Sequence, residues 1–153
     1  MWCPSYIWKT YAGPKGSLNP VADATPKGLQ MARQRMVLDS QRELMQKNWQ
    51  KNMKYRMEHE GDTIDLKPVL KLFNPCGAAT WLLTELDEDG DTAFGLCDLG
   101  QQCPELGYVS LEELASVTLP FGLYIERDIH FRAHKTLSEY AAKARELGRI
   151  EIC

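Results

Sequence analysis

No apolar run in this 153-residue sequence approaches the ~20 residues a helix needs to cross a bilayer, so a helical membrane protein is excluded. The opening segment, Met1-Trp-Cys-Pro-Ser-Tyr-Ile-Trp8, has neither a basic stretch nor a continuous apolar one, and no secretion signal is expected. Also missing are the Walker loop, the dinucleotide fingerprint, the nucleophile elbow and the zinc-protease helix, each of which demands fixed residues at fixed spacing. There are no repeats and no low-complexity runs. Cysteine is sparse: Cys3, Cys76, Cys97, Cys103 and Cys153 are odd in number and irregularly spaced, which predicts reduced thiols in a cytoplasm and no disulfide framework.

What is present is ordinary in bulk: 44% apolar, 25% charged. The length suits one domain, able to bury roughly two-thirds of its unfolded surface. Charge is distributed unevenly. Residues 1–57 carry ten Lys/Arg against Asp23, Asp39 and Glu43, a net of +7, whereas residues 58–153 carry eight against eighteen acids, a net of −10. Such a division predicts a strongly charged partner, or an arm folding back on its own domain.

Residues 1–37 read as an N-terminal extension, partly helical or disordered, ahead of a single domain over 38–153. In the extension Trp2, Tyr6, Trp8 and Tyr11 alternate loosely with Lys9 and Lys15, and Thr25-Pro26 offers a helix start. A basic helical segment follows to about Glu58, with Ser40–Glu43 as a capping box inside it, so two helices or one bent helix are expected. Leu38, Met45, Trp49, Met53 and Met57, joined by Leu44, form a drifting stripe expected to face the core. The opposite face carries Arg42, Lys47, Lys51, Lys54 and Arg56. Gly61 is the expected stop, and His59 an expected surface residue.

The densest apolar stretch is Val69–Phe131. Lys67–Phe73 reads as a strand. Asp89-Gly90, set between two apolar runs, predicts a two-residue primed turn pairing Leu82 with Cys97, Leu83 with Leu96, Thr84 with Gly95 and Leu86 with Ala93. Apolar groups then occupy both faces, so both should be at least partly covered. Gly95 predicts a bulge or a close backbone approach. A short strand over 106–109, a capped helix from Ser110 to about Val117, a last strand over 123–131 and a helix from Thr136 to Gly148 complete an α+β fold. Its antiparallel sheet has four to five strands, with the N- and C-terminal helices packed against it.

From about 38 to 148 the chain resembles a family of small bacterial proteins known only as a domain of unknown function. The likeness rests on Lys71-Leu-Phe-Asn-Pro-Cys-Gly-Ala-Ala-Thr-Trp-Leu-Leu-Thr-Glu-Leu-Asp87, Phe94–Gly100, Pro104–Leu114 and Ile125–Asp128. The resemblance implies an origin on plasmids, phages or conjugative elements and a bacterial cytoplasm, and brings no catalytic set.

Three residue sets could carry function. Asp98, Glu105, Glu126 and His130 could meet at one end of the sheet for acid–base work, although Arg127 between two acids equally suits a structural ion-pair cluster. Glu85, Asp87, Glu88, Asp89 and Asp91 would form an acidic tip that binds a partner. Arg42, Lys47, Lys51, Lys54 and Arg56 would bind nucleic acid. Asp87, Asp89 and Asp91 imitate the start of a calcium loop, but Thr92 stands where glycine is needed. Cys97, Cys103, His130 and His134 have zinc-ligand chemistry, yet five residues separate the cysteines where tight sites have two to four. No metal and no cofactor is expected. The leading expectation is a non-catalytic interaction protein from a mobile element, an anti-CRISPR-like inhibitor whose partner is a host protein or nucleoprotein complex, a CRISPR effector being one candidate. The alternatives are a nucleic-acid-binding accessory of plasmid or phage maintenance and a small hydrolase or metal-dependent enzyme.

Overall fold

The computed structural model describes residues 36–152, so the expectations for the aromatic segment, the Thr25-Pro26 helix start and the rest of residues 1–35 lie outside the described residues. The order is α1 (Asp39–Glu58), β1 (Leu70–Phe73), β2 (Thr80–Leu86), β3 (Thr92–Asp98), β4 (Glu105–Ser110), α2 (Leu111–Ser116), β5 (Glu126–Arg127) and α3 (Leu137–Leu147). The strands form one antiparallel sheet in the order β4-β3-β2-β1-β5. The expected α+β architecture is the one that forms.

Local chemistry sets the element ends. The Leu38 N–H is taken by the Gln41 side chain at 3.1 Å, so α1 is capped at Leu38, two residues before the Ser40 cap expected from the sequence. Gly61, at φ +97°, turns the chain after α1 and donates to the Arg56 carbonyl. Ser110 accepts from the Glu113 N–H to start α2. Glu139 reaches back to the Thr136 N–H at 2.7 Å to start α3, and Gly148 ends it in the left-handed region.

The β2–β3 hairpin departs from its expected register. Five residues, 87–91, separate the strands, and Gly90 takes φ +72° after a turn closed by its own N–H on the Asp87 carbonyl. The Asp89 carboxylate holds that loop open by accepting from Asp91 N, Thr92 N and Thr92 Oγ1. Leu86 does pair with Ala93, but Leu83 pairs with Gly95 and Leu82 with Leu96, one step from expectation. The difference is a bulge at Thr84. A Cβ on Gly95 would stand 2.0 Å from the Leu82 carbonyl oxygen, so glycine is the residue that lets the bulged strand close in.

This bulge shifts which face each later side chain occupies. Leu83 and Leu86 both enter the larger core with Leu72, Trp81, Ala93, Val109 and Leu114. Glu85 turns to the reverse face, where Leu82 and Leu96 pack beneath Tyr140, Ala141 and Ala144 of α3. Both faces are covered, as two-sided apolar strands require. Met36 and Val37 are also buried, two residues ahead of the boundary expected at 38.

The last strand is two residues long instead of nine. Asp128 ends it: its carboxylate accepts from His130 N and from Lys71, turning the chain off the sheet and leaving Ile129 64% exposed.

Candidate anion-binding cleft

Helix α1 docks through amides rather than through its apolar stripe. Asn48 donates to the Thr84 carbonyl at 2.9 Å, the backbone group that the bulge frees. Asn52 donates to Glu85 at 2.7 Å and exchanges hydrogen bonds with the backbone of Ile64. Within the expected core stripe Met45 is buried; Leu38, Leu44 and Met53 are exposed, and Met57 is 81% exposed. The physical reason is that a helix seated on unpaired backbone carbonyls needs donors at its contact positions.

Leu38, Gln41, Leu44 and Asn48 therefore form one wall of a cavity of about 580 Å³. Residues 66–69 and Lys71 form its floor, and 127–129 with 131–133 its far wall. Four cations line it, Lys67, Lys71, Arg127 and Arg132, against one acid, Asp128. Lys71 Nζ lies 2.9 Å from Asp128 Oδ2, and this ammonium, with the His130 N–H, holds the Asp128 carboxyl below its ordinary range. Arg132 donates to the Phe131 carbonyl. Arg127 Nη1 is shielded from solvent and has no acceptor among the described residues. Helical spacing puts Lys47 and Lys51 beside Leu44 and Asn48, so the outward lysines of α1 extend the same cationic face.

The five basic residues expected to act together divide. Lys47, Lys51 and Lys54 point outward, Lys54 lying 3.9 Å from Glu58. Arg42 donates to the Gly90 carbonyl under the hairpin tip, and Arg56 approaches Glu85. The acidic tip divides as well. Glu85 is buried on the reverse face; Asp91 accepts from Ser110 Oγ and Glu112 N, and Asp89 is engaged with Thr92. Asp87, Glu88 and Asp89 remain at the tip, next to Glu112 and Glu113 of α2.

Asp98, Glu105 and Glu126 do lie at one end of the sheet but are spread across it. Glu105 and Glu126 sit on opposite edge strands, four intervals or about 19 Å apart. Asp98 is buried, accepting from Gly100 N and Ile150 N, and His130 is exposed beyond β5. No cluster of three metal-ligating side chains occurs among the described residues. Cys97 packs against the larger core, where burial pushes its thiol up to about 12. Cys76 is free, but Cys103 is disulfide-bonded, which corrects the expectation of wholly reduced thiols. The loop carrying Cys103 packs on the segment after α3, where Gly148 meets Gln102.

Sequence reasoning missed the cleft. Lys67, Lys71 and Arg132 belong to the half whose acidic total conceals them, and Arg127 reads as part of an acidic cluster until β5 pairs it with Leu72. The available signal was Lys67 ahead of β1 and Lys71 within it, two cations in an otherwise apolar stretch.

No helix among the described residues is long and apolar enough to cross a membrane. No curated protein and no solved structure is significantly similar to the chain. One family profile, described as protein of unknown function (DUF2958), matches residues 36–151, which span both cores and every described element. On that match the chain belongs to the DUF2958 family.

Proposed function

We propose that this protein is a non-catalytic binding protein that grips a phosphate-bearing polyanion, a nucleic acid, in the cleft between α1 and residues 127–133. The observation that carries the reading is the lining of that cleft, where Lys67, Lys71, Arg127 and Arg132 outnumber the single acid, Asp128, four to one. Ammonium and guanidinium groups gathered in this way pair with phosphate oxygens through charge-assisted hydrogen bonds. The described body has thirteen Lys/Arg against twenty Asp/Glu, so this basic face reverses the sign of its surroundings. A cytoplasmic setting and a role in plasmid or phage maintenance accord with this reading. In fluorescence anisotropy with a labelled oligonucleotide, affinity should fall steeply between about 50 and about 200 mM salt. Arg127→Gln should weaken binding and lower the salt slope by about one. Salt-independent affinity, or an unchanged slope in the variant, would sink it.

A second reading keeps the acidic end. Asp91 ties the hairpin to α2, so Asp87, Glu88 and Asp89 stand beside Glu112 and Glu113. Carboxylates so grouped could occupy a positive nucleic-acid channel, as an anti-CRISPR-like inhibitor from a mobile element would. Glu88→Lys with Asp89→Lys should then abolish displacement of guide or target from a CRISPR effector; unchanged displacement counts against it.

A further inference from the structure

On the other side of the 63–66 segment lies a second cavity, of about 310 Å³, which none of the preceding function uses. At its base is Glu85, 8% exposed. One carboxylate oxygen, Oε1, accepts from Asn52. The other, Oε2, has no hydrogen-bond donor among the described residues, and Glu85 lines the cavity. An ionised carboxylate accepts up to four hydrogen bonds, and a buried one served by a single amide is undersupplied. The bulge creates this situation by turning Glu85 onto the reverse face.

The walls have a matching character. Phe94 and Tyr108 lie 5.0 Å apart, and Trp49 meets Tyr108 edge-on at 6.3 Å. Ile64, Leu66, Leu106 and Leu137 complete an apolar lining, and Leu106 and Tyr108 remain partly exposed at the mouth. Asp65, the other acid here, is committed to Ser138 through its backbone N–H and hydroxyl. Arg56 stands at the rim without a direct ion pair to Glu85.

We infer that this cavity binds a small organic cation, an ammonium or guanidinium on an apolar or aromatic stem. The charged head donates to Glu85 Oε2, and the stem lies among Phe94, Leu106 and Tyr108, where aromatic faces favour cations. The volume sits at the small end of ligand pockets, so the occupant is a compact molecule. Arg56 is a competitor for the same carboxylate and sets how tightly the ligand is held.

The test uses the full chain, titrated with benzylammonium and with its neutral counterpart benzyl alcohol, followed by calorimetry and by the aromatic NMR signals. Benzylammonium should bind saturably, shift Phe94 and Tyr108, and exceed benzyl alcohol by at least about tenfold, as a charge-assisted bond implies. Glu85→Gln should remove that preference. Arg56→Gln, an exposed change that leaves the Asn52 contact intact, should strengthen binding severalfold. No saturable binding, equal affinity for the two probes, or weaker binding in Arg56→Gln would each overturn the inference.

Discussion

Glu85 is held at a cost that depends on pH. Burial raises its carboxyl above the usual 4.5, against the opposing hydrogen bond from Asn52 and the nearby Arg56 charge. The folded chain therefore binds this proton more tightly than the unfolded chain does. The contribution to stability is full below about pH 4.5 and is lost as pH rises through the folded value. Urea midpoints of wild type and Glu85→Gln, followed from acid to neutral pH, should separate in favour of the variant as pH rises; parallel curves would contradict it. The two free thiols among the described residues differ for a related reason. Exposed Cys76 should react with iodoacetamide at pH 8 in the native protein, whereas Cys97, raised to about 12 by burial, should react only in denaturant. Peptide mapping after labelling distinguishes them.

Turn and cap chemistry made most elements legible from sequence: Ser110 and Thr136 as starts, Gly61 and Gly148 as stops, and Gly95 as the mark of irregular pairing. Each is decided within a few residues. The hairpin register was not, because Thr84 fits either alignment, and the choice is made by Asn48, 36 positions away. The cleft was illegible for the same reason, since Lys71 and Asp128 meet across 57 positions. The role of Gly95 admits a direct check. Gly95→Ala must displace the Leu82 backbone, and urea denaturation should show a loss of about 3 kcal/mol, the upper end for overpacking. Asn52→Ala should cost a similar amount, about 3 kcal/mol, because it strands both the Ile64 backbone and the buried Glu85.

Strand β2 is common to both cores, giving Leu83 and Leu86 to one and Leu82 to the other. The two sides should consequently melt together. Leu86→Ala and Leu96→Ala, one in each core, should each lower a single urea transition by about 2–5 kcal/mol with little change in its slope. A biphasic curve in either would show that the sheet does not couple its two coverings. Thr84 is the supernumerary residue of that shared strand, and its excision should be unlike that of its neighbours. A one-codon deletion there leaves Leu83, Glu85 and Leu86 facing their present partners in an unbroken ladder, whereas deleting Leu83 puts the Thr84 hydroxyl in its place in the larger core. What the shortened chain loses is the carbonyl that Asn48 holds, so it should keep its sheet and loosen α1 at that point, with Asn52, Arg42 and Met45 still anchoring the helix.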